Sequence, residues 1–394
     1  MIGKIYDTMF KCYKKALTFL PIKKVVVFES NPEFSCNTYP VYRYLIDEKH
    51  IDDKYKIVWF VADPGKYKNS DLKNTSFIKY GDPSNSFFEK LKMFYILGTS
   101  KCLIYCNRIL GKQRKDQYSL CLQHGMPLKK SNGGYCINDN CDECLCVSEF
   151  FADNYSEDFK ISKEKMIFMG FPRNDYLFTK RDVLSEMGFD GYNKVFIWMP
   201  TYRKINNPKV AKFNIETTAT GIPTINTVDQ IIKVDEWMRE HNCLLILKPH
   251  PAQNISVEIQ SKLSNFKIIT NDDLSKKHIQ LYELMGKTDA LISDYSSVYY
   301  DYLLVDKPIG LTVDDLDSYI SARGFVYDNP KDILKGEYIN DTDDLLAFFD
   351  NVYNGKDLFA AERREVKNKL HKIQTAESAK MIGEHVYSLL EDKK

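Results

Sequence analysis

The chain repeatedly sets a short run of apolar and β-branched residues in front of a polar turn and a longer helical pattern, and this alternation limits the folds open to it. Lys24-Val25-Val26-Val27-Phe28, Lys56-Ile57-Val58-Trp59-Phe60-Val61, Ser100-Lys101-Cys102-Leu103-Ile104-Tyr105 and Ser119-Leu120-Cys121-Leu122 are the first four such runs. A strand with one wet face alternates polar and apolar residues, whereas a continuous apolar run suits a parallel strand covered on both faces. The helical segments between them, such as 39–49 and 85–97, complete βαβ units, which close right-handed. A second series runs through 194–199, 243–247, 266–269, 290–292 and 308–311.

The reading is therefore α/β, with two doubly wound Rossmann-type domains. At 394 residues the chain is long for a single core, which also favours two domains. We expect a helix over 1–22, a first domain over 23–180, a second over 185–360, and a C-terminal helix over 361–394 that could pack across both. The stretch 204–227, rich in Thr, Asn and Pro, reads as a long loop of the kind that often forms a lid.

A net charge of +1 with 28% charged residues offers no global basic field, which argues against a nucleic-acid partner. Ten cysteines, no apolar leader and no run of transmembrane length fit a reducing cytoplasm. The N-terminus is locally basic: Lys4, Lys11, Lys14 and Lys15 fall on one side of a helix whose other side carries Ile2, Ile5, Met9, Tyr13, Ala16 and Leu20. Such a helix suits a membrane interface; the same face also suits packing on the first domain.

In doubly wound folds ligands sit beyond the carboxyl ends of the strands, and the chemical residues cluster there. Ser293-Asp294-Tyr295-Ser296-Ser297 follows an apolar run and opens a helix, so its hydroxyls and first-turn N–H groups suit a phosphate. Asp294, Ser296 and Ser297 are candidate substrate contacts. His124, in His124-Gly125-Met126-Pro127, suits a general base or a capping hydrogen-bonder. Lys248-Pro249-His250-Pro251 fixes His250 between two prolines beside a cation, which suits stabilisation of a leaving phosphate. Arg203, after Met199-Pro200-Thr201-Tyr202, matches phosphate oxygens bidentately. Gly170-Phe171-Pro172-Arg173-Asn174-Asp175 reads as a shaped turn in which Arg173 and Asp175 brace each other and the linker between the domains. Cys136, Cys141, Cys144 and Cys146 lack the paired spacing of a zinc ribbon, no carboxylate pair suits magnesium, and no Gly-rich dinucleotide or Walker loop is present. We expect no metal and no cofactor.

Taken in order, His-Gly-Met-Pro-Leu-Lys, Gly-Phe-Pro-Arg-Asn-Asp, Met-Pro-Thr-Tyr-Arg, Lys-Pro-His-Pro, Ser-Asp-Tyr-Ser-Ser with Asp-Tyr-Leu-Leu, and Asp306-Lys307-Pro308-Ile309 resemble the CDP-glycerol glycerophosphotransferase family, over roughly residues 25–350. Arg323-Gly324-Phe325-Val326-Tyr327-Asp328 resembles a further C-terminal motif. The resemblance implies a GT-B-like architecture, its two domains facing across a cleft, with the CDP-alcohol on the C-terminal side and the acceptor on the N-terminal side. It implies His124 as the base, with His250, Ser296 and Ser297 on the donor diphosphate. It departs at Met126, where the family usually has threonine, and in the cysteine-bearing segment 131–146. The implied enzyme transfers glycerol phosphate, or a related polyol phosphate, from CDP-glycerol or another CDP-alcohol to a lipid-linked acceptor, releasing CMP. It would work peripherally on the inner face of the cell membrane, in teichoic acid or capsule-type polymer synthesis. A GT-B glycosyltransferase using a nucleotide sugar and a catalytically silent membrane adaptor are the rival readings.

Overall fold

The computed structural model describes residues 2–81, 84–108, 110–130, 137, 141–201, 204–207, 211–214, 218, 220–249 and 263–391; for 2–7, 204–207 and 211–214 it describes backbone alone. The chain forms two compact units. One comprises Met1–His124, Cys136–Asp175 and Glu377–Lys394; the other comprises Gly125–Tyr135 and Tyr176–Ala376.

The first unit is built on seven parallel strands: β1 (Lys23–Glu29), β2 (Lys56–Val61), β3 (Thr75–Lys79), β4 (Ser100–Tyr105), β5 (Tyr118–Cys121), β6 (Glu143–Cys146) and β7 (Met166–Phe168), in the order β3-β2-β1-β4-β5-β6-β7. Val27 pairs with Val58 on one side and Leu103 on the other, and all three are sealed from water. Burial on both faces explains why these strands read as unbroken apolar runs. The order reverses between β1 and β4, which makes their carboxyl ends the topological switch point.

In the second unit, β8 (Lys194–Trp198) lies mid-sheet. After the antiparallel hairpin β9 (Lys204–Asn207) and β10 (Ala211–Asn214), the chain places β11 (Cys243–Leu247) and β12 (Phe266–Ile268) on one side of β8. It then returns to lay β13 (Ala290–Ser293), β14 (Ile309–Thr312) and β15 (Glu337–Ile339) on the other. All five pairings of this sheet are parallel, and its switch point lies between β8 and β13. Phe196, Trp198, Trp237, Phe348 and Phe349 fill the core on one face.

Two expectations need correction. The supposed loop 204–227 contains the β9–β10 hairpin, and Ile222 and Ile225 drop from its far end into the core. The C-terminal pattern 361–394 is two helices, Ala360–Leu370 in the second unit and Ser378–Glu391 in the first. Asp175 starts the latter by accepting from Ser378 N (3.1 Å) and Ala379 N (2.8 Å), an N-cap supplied from a distant turn. At its far end the Tyr55 hydroxyl donates to Leu390 O (2.7 Å).

The N-terminal helix spans Ile2–Leu17 and packs on the helix Phe87–Thr99, which Ser86 and Glu89 start with a reciprocal capping box. Phe10 meets Phe94 edge-on at 5.2 Å, Tyr13 OH donates weakly to Leu91 O (3.4 Å), and Leu17 lies against Gly98. Among the described residues no helix is long and apolar enough to cross a membrane.

Candidate active site

At the switch point of the second unit, β8 and β13 are tied beyond their last ladder bonds. Asp294 is sealed from water and accepts from Thr201 through both oxygens, from the backbone N–H at 2.7 Å and from the hydroxyl at 2.5 Å. Ser293 Oγ donates to Met199 O (2.9 Å). Tyr295 points into the core, its hydroxyl donating to Asp315 (2.8 Å) and its ring lying 4.2 Å from that of Tyr319. Asp294, expected as a substrate contact, stands here as a buried brace on Thr201.

Three of the five residues in Ser293–Ser297 are thus consumed in fixing the turn, and the two that remain are partly open to water. Ser297 stands at the N-cap of the helix Val298–Tyr302 without a side-chain cap bond. Among the described residues, Ser296 Oγ accepts only a long 3.4 Å bond from Val298 N. The next two N–H groups of the helix, of Tyr299 and Tyr300, donate to Ser296 O and Ser297 O (3.1 Å each).

On the other side of β8, Lys248 follows β11 directly, its N–H continuing the ladder to Trp198 O (2.8 Å). The residue is only 7% exposed, and no hydrogen bond or ion pair to its ammonium is found among the described residues. Burial pulls its pKa below the usual lysine range, as expected for an uncompensated cation. His250 and Arg203 lie outside the described residues.

The first unit holds His124 just past β5. The backbone turns sharply there, with Gln123 in the left-handed region (φ 52°). Once off the strand, three consecutive carbonyls are taken up by two side chains. Asn37 Nδ2 donates to Leu122 O (3.1 Å) and Gln123 O (2.7 Å), and Arg173 Nη1 donates to His124 O (2.5 Å). Arg173 N in turn donates to Asn37 Oδ1 (3.2 Å). Arg173 and Asp175 therefore serve separate ends of their turn, His124 and the C-terminal helix, where the sequence had suggested that they brace each other. Water reaches the His124 ring, yet the protein around it and then the Arg173 charge lower its pKa to about 4. The imidazole is neutral at pH 7 and can accept a proton.

Beside it, the Glu29 carboxylate closes the end of β1 by accepting from Asn107 N (3.1 Å) and Arg108 N (3.0 Å); burial raises its pKa despite these bonds. Cys141, Cys144 and Cys146 are buried, and burial pushes the Cys146 thiol up to about 12; Cys136 lies outside the described residues. Asn37, Thr201 and Arg173 were not singled out for these roles by sequence, since their partners are far along the chain and mostly main-chain atoms.

The profile of the CDP-Glycerol:Poly(glycerophosphate) glycerophosphotransferase family matches residues 12–388. The chain belongs to this family. As a glycerophosphotransferase family member it is 26% identical to the teichoic acid poly(glycerol phosphate) polymerase of Bacillus spizizenii over 397 aligned residues, covering 90% of each chain. It is 23% identical to the Staphylococcus aureus ribitol-phosphate polymerase TarL, covering 88% of this chain and 61% of that one. Its fold matches that of the wall teichoic acid polymerase TagF, with a TM-score of 0.73 at 16% identity over 99% of this chain and 97% of that one. The fold is GT-B-like, in line with the resemblance carried by the motifs.

Proposed function

We propose that this family member transfers a polyol phosphate from a CDP-alcohol to a hydroxyl of a lipid-linked acceptor and releases CMP. The observation that carries the reading is the second unit's strand-end constellation. A nine-tenths buried lysine with no counter-ion among the described residues and two serine hydroxyls left over by a heavily braced turn flank the switch point between β8 and β13. Buried cation and free donors are what a diphosphate requires. Lys248, Ser296 and Ser297 hold it in this reading, with His250 and Arg203 as further contacts. His124 takes the proton from the acceptor oxygen as that oxygen bonds to the β-phosphorus; the bond from this phosphorus to the bridging oxygen breaks, and CMP departs with the electron pair. Positioning and charge stabilisation supply most of the rate.

The same reading places the protein peripherally on a membrane. Phe19 (83% exposed), Phe88 (79%), Leu20 and Met9 are exposed large apolar residues on or beside the paired helices 2–17 and 87–99. Lys14 lies over the ring of Phe94 at 4.2 Å. Exposed aromatics among lysines suit an anionic headgroup layer.

The test is nucleotide release by purified protein with CDP-glycerol, CDP-ribitol or UDP-sugars, each with a membrane extract as acceptor. Acceptor-dependent CMP release is expected from one CDP-alcohol. Release of UDP would move the protein to the glycosyltransferases, and a lack of turnover with every donor, in the presence of a defined lipid-linked acceptor, would leave the adaptor reading.

A further inference from the structure

We propose that Arg173 is the positioning residue for His124, fixing from a separate turn both the course of the backbone that presents the imidazole and the charge beside it. The inference rests on His124 being the base. Leu122, Gln123 and His124 have left the β5 ladder, and a carbonyl that leaves a sheet inside a protein needs a donor. Asn37 supplies two and Arg173 the third.

The two suppliers are joined to each other through Arg173 N and Asn37 Oδ1, so this corner is a closed circuit and not a set of independent contacts. Asn37 is sealed from water and Arg173 is 8% exposed. The guanidinium is further tied to Cys36 Sγ at 3.5 Å and lies over Phe171 at 5.2 Å. A planar fork held at three points has little freedom to follow a moving loop. Arg173 therefore sets where the imidazole stands.

It also acts on the imidazole's charge. Among the described residues, the titratable groups around this corner include Arg173, Cys36 after β1, Glu29 at the end of β1, Cys106 just past β4, and Tyr155, which feels the Arg173 charge. Of these, Arg173 is the charge that opposes imidazolium, while a backbone contact from Cys106 favours it. Cys36 is itself drawn below the usual thiol range, by Cys106 first and by Arg173 as well. Burial first and the Arg173 guanidinium second keep His124 neutral and ready to accept a proton at pH values where an ordinary histidine is already charged.

Two variants separate geometry from charge. Arg173→Gln removes the charge and loosens the carbonyl tether; Arg173→Lys keeps the charge on a shorter head without the planar fork that reaches His124 O and lies over Phe171. In each, kcat and kcat/KM are measured against pH with donor and acceptor, and the His124 Cε1–H resonance, assigned by its absence from His124→Asn, is titrated by NMR. For Arg173→Gln the expected result is a rise of the His124 pKa by about one unit, an equal rise of the acid limb of kcat/KM, and a kcat loss of about tenfold or more. For Arg173→Lys the acid limb stays low while kcat falls. Donor affinity is unchanged in both. Wild-type kcat together with an unmoved His124 titration in Arg173→Gln overturns the inference. Should that variant fail to fold, a folded Arg173→Lys with wild-type kcat overturns it as well. If the His124 titration moves but the acid limb does not, the hold of Arg173 on His124 stands and the base assignment falls.

Discussion

A neutral histidine behind a strand end and a buried lysine behind another make different demands on pH and substitution. His124→Ala is expected to lower turnover by about 10²–10⁴-fold while leaving CDP-alcohol affinity nearly intact, measured by calorimetry beside the CMP assay. A parallel loss of donor affinity would remove His124 from the role of base. Asp294→Asn should instead act through structure. It replaces one accepting oxygen with an NH₂ that faces the Thr201 donors, so a lower melting temperature and weakened donor binding are expected together.

Away from the site, His385 Nε2 lies 2.5 Å from Glu143, which also accepts from the Tyr118 hydroxyl. The Glu143 hydrogen bond raises the His385 pKa. A folded-state pKa above the unfolded one means the pair's contribution is whole below about pH 6.5 and is lost as pH rises through the raised value. Urea unfolding of the wild type between pH 6 and pH 8.5 should therefore lose of order 1 kcal/mol that His385→Gln does not lose. At this scale the sequence showed which residues stand directly behind an apolar run, as His124 and Lys248 stand just past β5 and β11. It was mute where a side chain serves a distant main-chain oxygen, as Arg173 does, because a carbonyl leaves no trace in residue identity.

The elements read from sequence are those whose own composition decides them. β1, β2, β4 and β11 are buried on both faces and look so. By contrast, β3 (Thr75–Lys79) is largely half-exposed and β15 is only three residues long; each is a strand through its partner, Trp59 facing Phe77 and Leu311 facing Tyr338, and neither carries a pattern of its own. The hairpin β9–β10 hid for a similar reason, its ladder being set by pairing and not by an apolar stripe. The helix pair at the N-terminus belongs to this scale too. Its contact through Phe10, Tyr13 and Leu17 leaves Phe19 and Phe88 exposed, so both readings of the basic helix draw on it. Co-sedimentation with vesicles containing anionic lipid should be lost in Phe19→Asp/Phe88→Asp with CMP release from a soluble acceptor analogue retained. Equal sedimentation of variant and wild type would assign these aromatics no part in membrane binding.

At the scale of the whole molecule, two parallel sheets were foreseeable from the alternation of runs, but the route of the chain between them was not. The chain joins the second unit after His124, returns at Cys136, departs again after Asp175 and comes back at Glu377. Local patterns carry no information about which unit a helix will cover. The final helix buries Ile382, Val386 and Leu390 and sets Gly383 against the Tyr44 ring, a close approach that any Cβ would obstruct. This return has a consequence for biogenesis. Protein domains generally fold as the ribosome delivers them, in order, yet here the first sheet waits for a cover that is translated after the whole second unit. Until then the flank of the helix Thr38–Asp47 that receives it stands bare on the nascent chain, a surface for chaperones to hold and the place where a prematurely terminated chain would first aggregate.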